Sequence, residues 1–310
     1  MKRILVLISV LMAALIIIGD AEARLITPRP CATHFCTGWT ILGMGITGPT
    51  NVVLSGGSST EPALSGSSQI LGQYFANVGV AQSGKFSMSG DSYIQGGLFL
   101  GSPATYRLSG GSEIDAGILQ DQATNPAILA ADASSIDGML DLAVDKALGL
   151  YSHYASLPTT TYFPSLWSIV IKNPRGNVAI QGTASQNVLN LTDLVVAGGG
   201  TLTLQAPAGG SFILNITGRI HLSGGSKIVV AGDLKASSVL FRVIGTGSDV
   251  ILSGGSDLDG IVLAPFRKVV LSGDSTVYGE IAAGGKQILL SGDSAVIDPC
   301  VPAEIPTVTP

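Results

Sequence analysis

The sequence predicts a mainly β protein: a β-solenoid, or β-helix, of about 20-residue coils with one long α-helix packed along its side. Three observations carry this: a recurring tetrapeptide, apolar residues at a period of two around it, and a single stretch with helical spacing.

The tetrapeptide is Ser-Gly-x-Ser, preceded by Leu or Met. Its eight copies follow Leu54, Leu64, Met88, Leu108, Leu222, Leu252, Leu271 and Leu290, and x is Gly, Ser or Asp. Met88 and Leu108 are 20 residues apart, and the last three copies are spaced by 19. Six residues beyond the leading position stands Ile70, Ile94, Ile114, Ile228, Leu258, Val277 or Val296; the first copy has Thr60 there and is atypical. Apolar or small residues then alternate, as in Ile94, Gly96, Leu98 and Leu100. A period of two is a strand with one face inward. Short apolar runs such as Val269-Val270-Leu271 lead into each copy. Each coil therefore reads as strand, Ser-Gly corner, strand, turn. Gly tolerates positive φ at such a corner, and Ser or Asp bonds local backbone. One coil cannot bury its inward face alone, but stacking at about 4.8 Å lets neighbours do so.

The remaining elements follow in chain order. Residues 1–23 read as a secretory signal peptide: basic Lys2 and Arg3, an apolar run from Ile4 to Ile18, and Ala21-Glu22-Ala23 as cleavage site. Residues 24–50 read as an N-terminal cap or linker containing a cysteine pair. Residues 51–300 read as a single solenoid domain, and 301–310 as a Pro/Thr-rich tail. Within the domain, 126–156 read as the helix. Leu129, Ile136, Leu140, Ala143, Ala147, Leu148 and Tyr151 fall on one face, and Asp137, Asp141 and Asp145 form a polar stripe.

Composition fits a narrow bore. Hydrophobic residues make up 46% of the 310 residues and Gly supplies 41, whereas aromatics are 5% and charged residues 12%. A net charge of −5 with so few Lys and Arg argues against nucleic-acid binding, which rests on phosphate neutralisation. No stretch after the leader is long and apolar enough for membrane insertion of the mature chain.

An exported chain meets an oxidising compartment, so its three cysteines point to one disulfide. Cys36 with Cys300 would tie the termini together, and Cys31 with Cys36 would close a small loop; the spacing leaves both open. Cys31, His34 and Cys36 supply only three ligands at a spacing that matches no zinc pattern, so no metal and no cofactor are expected. Asp91, Asp274 and Asp293 are isolated and read as turn residues. His34, His153 and His221 lie far apart in the chain, and no Gly-x-Ser-x-Gly elbow precedes a helix. The reading is non-enzymatic.

Stacked corners would align serines into ladders. Ser253, Ser272 and Ser291 are the candidate surface ladder, a hydroxyl array able to meet ice, glycan or mineral. The second serine of each copy, such as Ser275, falls two residues before an inward position and reads as a buried hydroxyl satisfying corner backbone.

Several stretches also resemble a known family. These are Gln186-Asn187-Val188-Leu189-Asn190-Leu191, Phe212-Ile213-Leu214-Asn215-Ile216-Thr217-Gly218 and Gly260-Ile261-Val262-Leu263-Ala264-Pro265, following a lone helix. Their order resembles the bacterial choice-of-anchor A family of secreted or surface proteins. The helix-beside-solenoid order is similar to the microbial ice-binding β-solenoids, whose ice-binding faces are typically flat and Thr-rich. The resemblance implies a secreted or cell-surface location and a structural or adhesive role. The alternative is an ice- or polysaccharide-binding module, with extracellular glycan, matrix or an ice surface as partner.

Overall fold

The structure, a computed structural model, describes residues 35, 39–56, 69–72, 78–81, 83–114, 117–120, 135–160 and 167–298. Cys31, Cys36, Cys300, the leader, the tail and the Leu64 copy of the repeat lie outside the described residues. All strand pairings among the described residues are parallel, and they form a three-faced β-solenoid. One 17-stranded sheet wraps two of its faces, and a 9-stranded sheet makes the third.

Each coil carries three strands where the sequence suggested two. In the coil after Leu252 the strands are Val250–Ser253, Asp257–Asp259 and Ile261–Ala264. The expected long second strand is broken at Gly260, whose φ of +147° leaves the β region. Inward residues of all three faces meet in one continuous core: Leu252, Leu258 and Val262 from this coil, with Ile94, Leu98, Ile228, Val277 and Ile281 from others. Ile114, in a terminal coil, packs against that core only partly buried.

The Ser-Gly-x corner has one geometry in the copies after Met88, Leu108, Leu222, Leu252, Leu271 and Leu290. The Gly and the x residue both take positive φ, for example Gly273 at 59° and Asp274 at 60°. Asp91, Asp274 and Asp293 are the described non-glycine residues with positive φ. Short polar side chains tolerate this region best among L-residues, which explains why x is restricted. The second serines Ser226, Ser256, Ser275 and Ser294 are fully buried. Each hydroxyl donates to the carbonyl of the first serine of its own corner, as Ser275 Oγ does to Ser272 O at 2.8 Å. The corner, and not a stacked serine hydroxyl, is thus the acceptor.

Coil order in space departs from coil order in sequence. The stack starts at strand Trp167–Ile171 and runs to Ala295–Asp298. The next coil on the stack is then the first in the chain. Strand Ile41–Gly43 pairs with Ile281–Ala283, Asn51–Ser55 with Gln287–Ser291, and Gln69–Gly72 with Ala295–Asp298. Residues 41–50, expected in a cap, already belong to this coil. Ile70 is in register with Val296 and Ile94.

Helix α1, Ile136–His153, carries the chain back along the stack. It begins ten residues later than the spacing suggested, because Ser135 is an extended N-cap whose side chain accepts from Gly138 N–H. Ile136, Met139, Leu140, Ala143, Val144 and Ala147 cover one solenoid face, meeting Leu42, Phe99, Ile213, Leu240 and Ile261. The contact is close enough to need Gly79: a Cβ there would stand 2.8 Å from Leu140 Cδ2. At the helix start Asp137 accepts from Ser102 N–H at 2.8 Å. At its end Arg242 donates to the Tyr151 carbonyl and stacks 4.2 Å from the Tyr151 ring. Arg242 continues a buried polar row through Asn215 and Asn190 to Thr159. Asp141 and Asp145 face solvent, as their stripe implied.

Candidate functional site

One face lies under α1. The third carries short strands and mixed charge, including the Lys227–Asp257 ion pair at 2.7 Å. The remaining face is open: its outward aliphatic side chains join neither core cluster among the described residues.

Strand alternation and parallel stacking build this open face together. Ser223, Ser253, Ser272, Ser291, Ser55 and Ser89 are successive register partners and form one outward column. Ser253, Ser272 and Ser291 are therefore neighbours, as the repeat implied. The column also continues across the junction of chain end and chain start to Ser55 and Ser89, which the linear repeat did not indicate. These serines are half-exposed. Their bonds to the neighbouring coil are long, with Ser253 Oγ to Leu222 O at 3.4 Å and Ser291 Oγ to Leu271 O at 3.5 Å. The Ser253 and Ser291 hydroxyls thus face outward with only these long bonds along the stack.

Two residues earlier on each strand runs a second outward column: Val195, His221, Ile251, Val270, Leu289 and Val53. Sequence reasoning passed over it. Its signal was the three consecutive apolar residues in Val250-Ile251-Leu252, Val269-Val270-Leu271 and Leu289-Leu290 after Ile288, where a half-buried strand would alternate.

The central rows of the open face thus alternate aliphatic side chains and hydroxyls, with the His221 imidazole as the exception in the second column. The repeat is about 4.8 Å along the stack and about 7 Å along the strands. Charged groups sit at the margins, in Arg219, Asp249, Lys268, Lys85 and Arg107. Such a lattice suits a flat, periodic, uncharged surface. Among the described residues no three His, Cys, Asp or Glu side chains come together. No described helix is long and apolar enough to cross a membrane.

The buried cations are structural. Arg267 is 2% exposed and spends its five N–H groups on the carbonyls of Thr217, Gly218, Ile244, Gly245 and Ser248. Burial lowers the pKa of Arg267 and of Arg242.

The sequence matches the ice-binding-like adhesive domain family over residues 37–293. No curated protein sequence matches the chain. Among solved structures, an ice-binding protein with antifreeze activity from an Arctic yeast superposes with a TM-score of 0.52 at 17% identity, covering 89% of this chain and 98% of its own. The ice-binding protein 1 domain of Shewanella frigidimarina gives 0.47 at 16% identity, covering 87% and 98%. An ice-binding protein from the Antarctic ascomycete Antarctomyces psychrotrophicus gives 0.47 at 13%, covering 86% and 97%. At 17% identity the likeness to the Arctic yeast protein is one of fold.

Proposed function

Because the chain belongs to the ice-binding-like adhesive domain family, we propose that it is a non-enzymatic surface-binding module that adsorbs to ice through its open face. The observation that carries this reading is the uninterrupted serine column beside a mostly aliphatic column on a solenoid face that no described helix covers. A flat array of methyls and hydroxyls binds a solid through many weak, simultaneous contacts, none of which needs a deep pocket. Holding the array rigid in a solenoid avoids the ordering cost that a flexible surface would incur.

In this reading the chain is exported by its leader and presents the domain outside the cell, where ice or another solid surface is met. The Gly260–Pro265 and Asn215–Gly218 stretches support membership of the choice-of-anchor A group of surface proteins. A Cys36–Cys300 disulfide would lock the stacked chain ends together. The direct test is partition of purified mature protein into a slowly growing ice front, with adsorption to chitin and cellulose as comparison. Enrichment in ice supports the reading; exclusion from ice in the manner of an inert globular protein refutes it.

A further inference from the structure

A notch at the margin of the open face has the make-up of a small-ligand site. It is lined by Arg219, His221, Gly247, Ser248, Asp249 and Ile251 and encloses about 400 Å³. That is near the lower end of the range for small-molecule sites. We propose that it binds a neutral polyhydroxylated ligand, the end group of a saccharide.

The notch exists because one coil is long. Leu222 and Leu252 are 30 residues apart, against 19 for the next two intervals. Part of the excess is a loop over 244–249 that rises beside strand Ile220–Ser223. Arg267 holds this loop from beneath, donating to Ile244 O at 2.6 Å and Ser248 O at 2.7 Å as well as to Gly245 O. The same guanidinium ties it to Thr217 O and Gly218 O of the preceding coil. The Tyr151 hydroxyl accepts from Gly245 N–H at 3.1 Å. The wall is therefore set before any ligand arrives, which removes the ordering cost of closing a loop on it.

Charge selects the ligand class. Asp193 lies 3.6 Å from Arg219 on one side. On the other side, Arg219 precedes Ile220, and Asp249 precedes its register partner Val250. An anion drawn to Arg219 meets two carboxylates, and a cation drawn to Asp249 meets Arg219 and Lys268. A neutral polyol opposes neither. Its hydroxyls can donate to Asp249 and accept from Arg219 and Ser248, while half-exposed Ile251 offers an apolar floor to the C–H face of a sugar ring. The notch shares His221 and Ile251 with the outward aliphatic column but not Arg219, Ser248 or Asp249, so variants at these three residues test the notch separately from the ice contact.

Saturation-transfer NMR of the full mature chain tests this, using glucose, galactose, mannose, N-acetylglucosamine and their disaccharides at millimolar concentration. At least one neutral sugar should receive transfer. Asp249→Ala and Arg219→Ala should each weaken it about tenfold or more, the effect of a lost hydrogen bond to a charged group. Ser87→Ala, at the far end of the same face, should leave it unchanged, and unaltered melting would show that all three variants fold. Absence of transfer to every neutral sugar, binding that survives Asp249→Ala, or preference for glucuronate or glucosamine would each overturn the proposal. Ice partition of Asp249→Ala, measured in parallel, separates this outcome from failure of the surface-binding reading.

Discussion

The Thr40 hydroxyl donates to an Asp298 carboxylate oxygen at 3.4 Å, across 258 residues of chain. The bond lies at the junction where the first coil in sequence stacks on the last. The three strand pairings there make the beginning of the chain one continuous body with its end. Val53 and Leu289 are outward register partners across this junction. A Val53→Cys, Leu289→Cys double variant should form an intramolecular disulfide on mild oxidation, because adjacent strands bring paired Cα atoms within disulfide range. Peptide mapping under non-reducing conditions reads it directly. A chain that stays reduced, or that cross-links only between molecules, would contradict the stacking order.

The two serines of the repeat should behave differently. Ser275 Oγ is buried, donates to Ser272 O and accepts from Ser256 N–H at 3.3 Å. Ser275→Ala should lower stability by about 1 kcal/mol, while Ser272→Ala should change it by no more than about 0.5 kcal/mol. Denaturant midpoints of the two variants settle the comparison, and equal losses would count against the assignment.

Both serine placements were legible in the sequence, because Ser275 stands two residues before inward Val277 and Ser272 sits beside the corner Gly273. The stacking of Leu54 on Leu290 was not legible. Parallel pairing leaves no local trace when the partner strands lie at opposite ends of the chain. The three-strand coil was hidden for a different reason: alternation continues through Gly260 and Gly279, so the bend does not disturb the pattern. The start of α1 was misplaced because Leu129 keeps the helical spacing, and spacing alone cannot see that Ser135 caps. Within the candidate site the hydroxyl column was visible and the aliphatic one was not. Val270 and Leu289 stood in apolar runs that gave no sign of which residue faces outward, and the strand alternation about Leu271 and Leu290 turns them to the open face.

Arg267 should matter far more to stability than its position in a loop suggests. Its five acceptors are all backbone carbonyls, from two neighbouring coils, and an aliphatic replacement leaves them buried without a donor. Arg267→Met should cost roughly 3–5 kcal/mol, and Arg267→Lys a smaller amount, since one ammonium can reach only some of the carbonyls. Exposed Arg219→Ala should be near neutral in the same melting assay. Near-neutral melting of Arg267→Met would remove the basis for a pinned 244–249 loop.

Asp259 predicts a pH effect. Burial pushes its carboxyl above the usual carboxylate range, with Asp257 adding to the shift, while the Val230 N–H at 3.0 Å and Lys227 oppose it. Over the window between the unfolded and folded pKa values the folded state holds the extra proton. This contribution to stability therefore falls as pH rises through that window and is flat above it. Asp259→Asn should remove the fall, so that the variant gains on the parent protein as pH rises from the acid range to neutrality. Urea midpoints along such a series give the difference, and parallel curves for the two proteins would refute the shift.

The open face is the central claim, and a charge placed at its middle tests it most directly. Val270→Asp puts a carboxylate into the outward aliphatic column, beside Ser272. Thr203→Asp puts the same group on the third face and controls for added charge. In ice-front partition the parent protein and Thr203→Asp should both enter the ice, and Val270→Asp should be excluded while melting within a few degrees of the parent. Equal entry of both variants, or exclusion of the parent protein itself, would contradict the account.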